Sequence, residues 1–169
     1  GRQTRQHIDQ ARRIFAASVK ADPADIIITS CGTESNNTAI IPTALALEGK
    51  GKHLITSATE HHAVLHPMHY LEELGFEVTY LSVDDTGRVT LQSVMDAVRE
   101  DTILVSLMYA NNEVGSINPI AEIGSFLAEK NILFHTDAVQ AFGSETIDVR
   151  QQHIDLLSVS AHKINGPKG

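Results

Sequence analysis

The distribution of apolar residues along the chain constrains its fold more than any other feature. Short runs of aliphatic and β-branched residues alternate with helix-length segments in which apolar residues recur every three or four positions. Such an alternation is typical of a mainly parallel β-sheet with helices packed on both faces. The sequence therefore predicts an α/β fold with three layers, α/β/α.

Six strands and five helices follow from this pattern. The strands are predicted at 26–28, 54–56, 78–83, 103–108, 132–134 and 156–160. The helices are predicted at 3–20, about 32–48, 62–74, 90–99 and 119–130. Gly75 ends the third helix, Thr90 caps the fourth and Pro119 opens the fifth. The runs that begin at 26, 103 and 156 are almost wholly apolar, which predicts strands buried on both faces.

The composition is ordinary for a globular domain and excludes several classes of protein. Of the 169 residues, 42% are hydrophobic and 20% are charged, and the net charge is −8. An acidic chain with scattered basic residues does not fit a surface that binds nucleic acid. No apolar run approaches the roughly 20 residues of a membrane-spanning helix, so we expect no membrane partner. The single cysteine, Cys31, fits a reducing compartment, and we expect a cytoplasmic protein.

Nearly all distinctive polar residues of the chain follow a predicted strand directly. They lie at 30–33, 59–62, 111–113, 137–140 and 160–163. In a parallel sheet, functional groups gather outside the carboxyl ends of the strands. The sequence therefore predicts one site formed by these five segments.

The residues of these segments form a consistent set for binding pyridoxal 5'-phosphate. The cofactor's pyridine ring acts as an electron sink when a buried carboxylate keeps its nitrogen protonated, and Asp137 follows an apolar strand. Lys163, in a loop after the last strand, can be desolvated and form an imine with the cofactor's aldehyde. His61 can stack on the ring and move protons.

Donors for the other cofactor groups are also present. The helix start at Gly32 and Thr33 offers backbone amides for the phosphate, and Ser160 and His162 add side-chain donors. Two amide side chains, Asn112 and Gln140, can hydrogen-bond the phenolate oxygen of the ring. A third group, the glutamates Glu34, Glu60 and Glu113, is expected to cap helices or to pair with backbone amides.

Each motif taken alone permits a simpler interpretation. Lys163 could be a surface lysine in a polar turn, and Asp137 with Gln140 has the spacing of a helix-capping pair. The pair at 111–112 could be only a turn. Ser160 beside His162 could suggest a nucleophilic serine, but the glycine-flanked elbow of hydrolases is missing. No glycine-rich dinucleotide-binding motif follows any strand.

The histidines His62, His66 and His69 could be read as zinc ligands because they share a helical spacing. No cysteine or convergent carboxylate completes such a set, and Pro67 is expected to disturb the helix between them. We therefore favour a solvated helix face and expect no metal.

Five motifs in order carry a resemblance that spans nearly the whole chain. They are TSCGTESNN at 29–37, EHHAVL at 60–65, NNEVG at 111–115, HTDAVQ at 135–140 and SAHK at 160–163. With these motifs the chain resembles the class V branch of the fold-type I pyridoxal phosphate enzymes. It is most similar to the cysteine desulfurases of the nitrogen-fixation and iron–sulfur-assembly type. The resemblance implies the large cofactor-binding domain of the aspartate aminotransferase-like fold.

The resemblance also implies roles for individual residues. Lys163 and His61 would be catalytic, with Lys163 bound to the cofactor and His61 stacked on its ring. Asp137 would hold the pyridine nitrogen. The remaining ligands would be Asn112 and Gln140 near the phenolate oxygen, and Gly32, Thr33, Ser160 and His162 at the phosphate. In the family reaction L-cysteine loses its sulfur to an enzyme cysteine, L-alanine leaves, and the persulfide passes to an acceptor or iron–sulfur scaffold protein. Enzymes of this type work as homodimers.

The same resemblance implies that 1–169 is a single large domain that is truncated at both ends. The persulfide cysteine, the arginine for the substrate carboxylate and the small carboxy-terminal domain are expected outside this chain. Cys31 is expected to be a small packed thiol and not the nucleophile. We expect this chain alone to be inactive. Other interpretations are a selenocysteine lyase, a class V aminotransferase, or an incomplete fragment that acts only in dimerisation or partner binding.

Overall fold

Five parallel strands form the centre of the fold in the computed structural model, which describes residues 2–111, 113, 115–164 and 166. The strands are β1 His53–Ser57, β2 Glu77–Leu81, β3 Thr102–Met108, β4 Leu133–Asp137 and β5 Leu156–Ser158. Their order across the sheet is β2-β1-β3-β4-β5, and each neighbouring pair is parallel. The predicted parallel sheet is confirmed.

Helices cover both faces of this sheet. They are α1 Arg2–Val19, α2 Gly32–Leu47, α3 His62–Glu73, α4 Leu91–Ala97 and α5 Ile120–Glu129, with 3₁₀ turns at Pro23–Asp25 and Ala161–Ile164. Side chains alternate between the two faces along each strand. Leu54 of β1 packs on the face covered by α2 and α3, whereas the next residue, Ile55, packs on the face covered by α1, α4 and α5. The predicted three-layer α/β/α fold is confirmed.

The local signals at the helix ends act as the sequence predicts, whereas the expected effect of a proline inside α3 is not seen. The Thr90 hydroxyl accepts a hydrogen bond from the N–H of Ser93 at the start of α4. Gly75 ends α3 with a φ of 93°, a conformation that favours glycine. The expected disturbance at Pro67 is wrong, because α3 continues through this residue. Pro67 is buried, and the packing of its ring offsets the hydrogen bond that a proline cannot donate.

The predicted buried strand at 26–28 is also wrong. None of the strands in the described ranges includes this segment, and Ile27 and Ile28 are 73% and 55% exposed. A strand needs a hydrogen-bonded neighbour. Here a groove of about 1200 Å³ is lined by 26–28 and by Leu156 and Leu157 of β5. The segment therefore has high β-propensity but no strand beside it. Burial on both faces holds for β3, whose residues are all buried.

Candidate active site

Three residues at the carboxyl ends of neighbouring strands form the base of the candidate site. Met108, the last residue of β3, pairs in register with Asp137, the last residue of β4. Asp137 in turn pairs with Ser158 at the end of β5. Backbone hydrogen bonds continue past the strand ends, from the Tyr109 N–H to the Asp137 oxygen and from the Ala138 N–H to the Ser158 oxygen. This row fixes the backbone on which the predicted site residues lie.

Asp137 is a buried carboxylate with hydrogen-bond capacity to spare. It is 7% exposed and ends β4, so it lies in the strand and not in the loop after it. Its Oδ2 accepts from Asn36 Nδ2 at 2.8 Å, and its Oδ1 accepts from the N–H of Val139 at 3.0 Å. A carboxylate has about four lone-pair positions, so a further donor can bind. The bond to Val139 closes a turn, and none of the described helices begins at this point for Asp137 to cap.

Glu60 lies beside this carboxylate and is itself buried, with 6% of its surface exposed. Its Oε1 accepts from the N–H of Met108 at 2.8 Å, as expected for a glutamate that pairs with a backbone amide. Its Oε2 has no partner among the described residues. Burial raises the pKa of Glu60 well above its ordinary value, and the negative charge of Asp137 raises it further.

His61 forms the N-cap of α3. Its Nδ1 accepts from the N–H of Ala63 at 3.0 Å, which leaves the proton of the neutral ring on Nε2. The residue is exposed, so the ring is accessible on the outer side of the sheet's carboxyl edge. This placement leaves the ring free to stack on a bound aromatic group.

The amino end of α2 approaches the loops after β4 and β5 closely. A side-chain carbon at Gly32 would lie 3.2 Å from Val139 Cγ2 and 3.7 Å from Ser160 Cβ. Thr33 follows in the first turn and is exposed. The N-cap residue, Cys31, makes no capping hydrogen bond with its side chain. Backbone amides at a helix start can bind an anion.

Cys31 is exposed, so the expectation of a packed thiol is wrong. The residue faces the groove that separates 26–28 from β5. The N–H of Glu34 lowers the pKa of the Cys31 thiol, and the Ser30 hydroxyl adds to this effect. Glu34 itself accepts from the N–H of Ser30 at 2.6 Å, as expected for a glutamate that pairs with a backbone amide.

The loop after β5 brings Ser160 and His162 together. Ser160 Oγ and His162 Nδ1 are 2.6 Å apart and hydrogen-bonded. Both residues line the groove that Cys31 and Ser35 of the α2 region also line, and Ser160 Cβ would lie 3.7 Å from a side-chain carbon at Gly32. Two of the predicted phosphate ligands therefore lie beside the amino end of α2, as the prediction requires.

Lys163 lies on the 3₁₀ turn Ala161–Ile164 and not in an irregular loop. Its N–H donates to the Ser160 oxygen at 3.3 Å. All four residues of this turn are exposed, so the expectation of a desolvated amine is not met. Gln140 is half-buried in the turn after Asp137. Asn112, the other predicted phenolate ligand, lies outside the described residues.

A buried hydrogen-bond network lies next to the site, and the sequence did not predict it. Ser35 Oγ donates to Ser158 Oγ at 3.0 Å, and Ser158 Oγ lies 3.0 Å from His135 Nε2. His135 Nδ1 is 2.7 Å from Ser106 Oγ. The directions of these bonds agree when Ser158 donates to Nε2 and the Nδ1 proton goes to Ser106. Burial lowers the pKa of His135 to about 3, so the ring is neutral and joins α2 to three strands.

The three helical histidines, His62, His66 and His69, are exposed on α3. The His62 and His66 rings are 5.4 Å apart, and the His69 ring lies 5.6 Å from that of Tyr80. In the part of the chain that the structure describes, no three or more His, Cys, Asp or Glu side chains are placed to hold a metal ion. Likewise, none of the described helices has the length and apolar character needed to cross a membrane.

The comparison with protein families agrees with these geometric features. The profile described as aminotransferase class-V matches residues 1–169. The chain belongs to the class-V aminotransferase family. Of its relatives, the putative cysteine desulfurase IscS 1 of Bacillus subtilis (strain 168) is 57% identical over 169 residues, and the cysteine desulfurase IscS of Methanosarcina thermophila is 53% identical. Both matches cover the whole of this chain. They cover only 45% of the Bacillus subtilis protein and 42% of the Methanosarcina thermophila protein.

Solved structures give the same result for the fold. The chain superposes on SspA, solved in complex with cysteine, with a TM-score of 0.96 and 43% identity. A NifS-like protein gives a TM-score of 0.91 and 40% identity. Each match covers 99% of this chain, but 48% and 46% of the respective solved chains. The predicted aspartate aminotransferase-like fold and the resemblance to cysteine desulfurases are confirmed.

Proposed function

We propose that this chain is the cofactor-binding part of a pyridoxal 5'-phosphate-dependent cysteine desulfurase. The whole protein would transfer sulfur from L-cysteine to an enzyme cysteine, with L-alanine and an enzyme persulfide as products. The observation that carries the proposal is the identity of 50–57% to proteins named cysteine desulfurase along 98–100% of this chain. Since the chain spans less than half of these relatives, the substrate and the persulfide step are assigned to the whole protein.

The residues of the candidate site fit the cofactor on structural grounds. The cofactor's ring nitrogen needs a buried acid, and Asp137 is buried and retains acceptor capacity. Its phosphate can bind backbone amides at a helix start, and the N-cap side chain of α2 makes no hydrogen bond there. The small gap between Gly32 and both Val139 and Ser160 is one that a Cβ would fill. This combination of acid and anion site at one sheet edge supports cofactor binding.

When bound, pyridoxal 5'-phosphate supplies an electron sink that stabilises negative charge at the substrate's α-carbon. The chain's own residues would divide the remaining work. Asp137 would keep a proton on the ring nitrogen, Lys163 would hold the aldehyde carbon, and His61 would stack on the ring. The other holding residues would be Gly32, Thr33, Ser160 and His162 at the phosphate, and Asn112 and Gln140 at the phenolate oxygen.

Proton transfer falls to two accessible side chains. The Lys163 amine would also act as the base that removes the substrate's α-proton. Its exposed position on the turn Ala161–Ile164 leaves it room to move between the two tasks. The Nε2 proton of His61 is available to a reacting group because Nδ1 is occupied by Ala63.

The partners and location are part of the same proposal. A cysteine desulfurase of this type would act as a homodimer in the cytoplasm and pass its persulfide sulfur to an acceptor or iron–sulfur scaffold protein. A selenocysteine lyase or a class V aminotransferase would use the same cofactor site, and a fragment could serve only dimerisation or partner binding. The names of the relatives favour desulfuration among these.

A substrate assay of the full-length polypeptide tests the proposal. The protein is loaded with pyridoxal 5'-phosphate and given L-cysteine and a dithiol, and L-alanine and sulfide are measured. We expect both products in equal amounts, and their loss in the Lys163→Ala variant. Lys130→Ala, on the exposed end of α5, is the matched control and should keep activity.

Other outcomes would point to the alternatives. Alanine formed only from selenocysteine would indicate a lyase, and amino transfer to an oxo acid would indicate an aminotransferase. A protein that binds no cofactor and forms none of these products would favour the non-catalytic fragment.

A further inference from the structure

We infer that Glu60 is a positioning residue that carries a proton in the folded protein. Neutral Glu60 ties the loop before α3, and with it His61, to the end of β3, and it leaves Asp137 as the single negative charge of this buried pair. Its importance for the cofactor rests on the proposed function, whereas its protonation in the folded chain does not.

The hydrogen bonds of Glu60 locate it between the site's two ring-binding residues. Oε1 accepts from the N–H of Met108, whose register partner on β4 is Asp137. The next residue after Glu60 is His61, whose Nδ1 is held by the first turn of α3. Glu60 is thus the side-chain link between the loop that presents His61 and the strand beside Asp137. Loss of this link would remove the side-chain anchor of the loop to β3, while the backbone bond from the Ala58 N–H to the Leu81 oxygen of β2 would remain.

The free oxygen of Glu60 shows which protonation state the site accommodates. Oε2 is buried and has no hydrogen-bond partner among the described residues. An ionised carboxylate left without partners in such a place is strongly disfavoured, whereas a neutral acid is tolerated. The groups around it are the Met108 N–H from β3 and the carboxylate of Asp137 from β4. The negative charge of Asp137 also favours the neutral form of Glu60, because two adjacent negative charges repel.

The two acids therefore have different roles set by their surroundings. Asp137 accepts two hydrogen bonds, from Asn36 Nδ2 and from the N–H of Val139. Glu60 accepts one hydrogen bond, and its Oε2 has no partner in the part of the chain that the structure describes. A negative charge on Glu60 would also attract a protonated ring nitrogen. It would compete with the attraction by Asp137 and shift the position of the nitrogen. A neutral Glu60 keeps that attraction on Asp137 alone.

Replacement by the neutral isostere tests this assignment in the full chain without cofactor. Free energies of unfolding of wild type and Glu60→Gln are measured in urea from pH 4.5 to 8. In wild type the unfolded state releases the Glu60 proton above about pH 4.5 while the folded state keeps it, so folding becomes less favourable as the pH rises. The Glu60→Gln variant has no acid at this position, so its stability does not fall with pH for this reason. We expect the folded-to-unfolded ratio of wild type to fall about tenfold per pH unit relative to Glu60→Gln, until the folded acid ionises.

Glu129→Gln removes the same formal charge from the exposed end of α5 and gives the baseline for the comparison. The folded-to-unfolded ratio of wild type is divided by that of Glu60→Gln at each pH. If this quotient stays constant or rises with pH, the inference is overturned.

Cofactor binding provides the second readout, by absorbance titration of the same variants with pyridoxal 5'-phosphate. We expect Glu60→Gln to bind within about twofold of wild type, and Glu60→Ala, which loses the anchor to Met108, to bind at least tenfold more weakly. Equal weakening by Gln and Ala would mean that the charge is needed and would overturn the inference. If wild type binds no cofactor, the proposed function and the ring-nitrogen role fail together, while the pH series still decides the protonation of Glu60.

Discussion

At the residue scale, the site is held by buried side chains whose partners are distant in sequence. Asp137 could be selected from the sequence because it follows an apolar run, and the structure shows it buried. Its partner Asn36 lies 101 positions away and was recognised only as part of a motif. His135 has two serine partners on neighbouring strands, and no local pattern reveals such a pairing. Only the register of the sheet determines these contacts.

The bond between Asn36 and Asp137 gives a first prediction. Asn36 is 1% exposed, and its removal leaves a buried carboxylate short of a donor. We predict that Asn36→Ala lowers the free energy of unfolding by about 2 kcal/mol. The neighbouring Asn37→Ala removes only a bond to the Thr33 oxygen on the helix surface and should cost about 0.5 kcal/mol or less. Urea unfolding at neutral pH measures both, and equal effects would contradict the role of Asn36.

The burial of His135 gives a second prediction, in pH dependence. The folded pKa of about 3 lies below the ordinary value of 6.5, so the unfolded state takes up a proton first as the pH falls. The contribution of His135 to the free energy of unfolding is therefore greatest above about pH 6.5 and decreases progressively toward pH 3. Relative to His135→Gln, wild type should lose about 2 kcal/mol of unfolding free energy between pH 7 and pH 5. Urea titrations at both pH values measure this difference, and parallel losses in the two proteins would contradict it.

At the element scale, periodicity predicted the five described strands and the five described α-helices, and it predicted one further strand, at 26–28, that does not form. The helices could be predicted because their ends carry local signals, such as Thr90 and Gly75. The segment at 26–28 has the composition of a strand, but strand formation depends on a neighbour that composition does not reveal. The same limit applies to Pro67, where tertiary packing overrides a local helix breaker.

The contact between α5 and the loop before β5 gives a prediction at this scale. Gly124 of α5 lies against the backbone of Gln152, and an added Cβ would collide with that carbonyl oxygen. We predict that Gly124→Ala lowers the free energy of unfolding by about 2–3 kcal/mol, despite the higher helix propensity of alanine. Gly49→Ala, after α2, meets nothing within 4 Å and is the matched control. Thermal and urea unfolding compare the two, and a neutral Gly124→Ala would show that the helix can move away.

At the scale of the whole molecule, the five motifs and the alternation of strands with helices were enough to predict the fold and the family. The parallel order brings the ends of β3, β4 and β5 into one row, which explains why scattered motifs form one site. The sequence did not reveal that the turn of Lys163 is exposed, because exposure depends on what packs against it. The assignment of 1–169 to a single large domain stays a prediction, as do the homodimer and the cytoplasmic location.

The position at which pyridoxal 5'-phosphate becomes attached is the most direct measurement of this enzyme assignment. The protein is incubated with the cofactor, reduced with borohydride to make any imine permanent, digested, and mapped by fragment mass spectrometry. We predict one modified residue, Lys163, and a loss of the modification in Lys163→Ala. Attachment at another lysine, such as Lys52 at the opposite end of β1, or no attachment at all, would contradict the assignment.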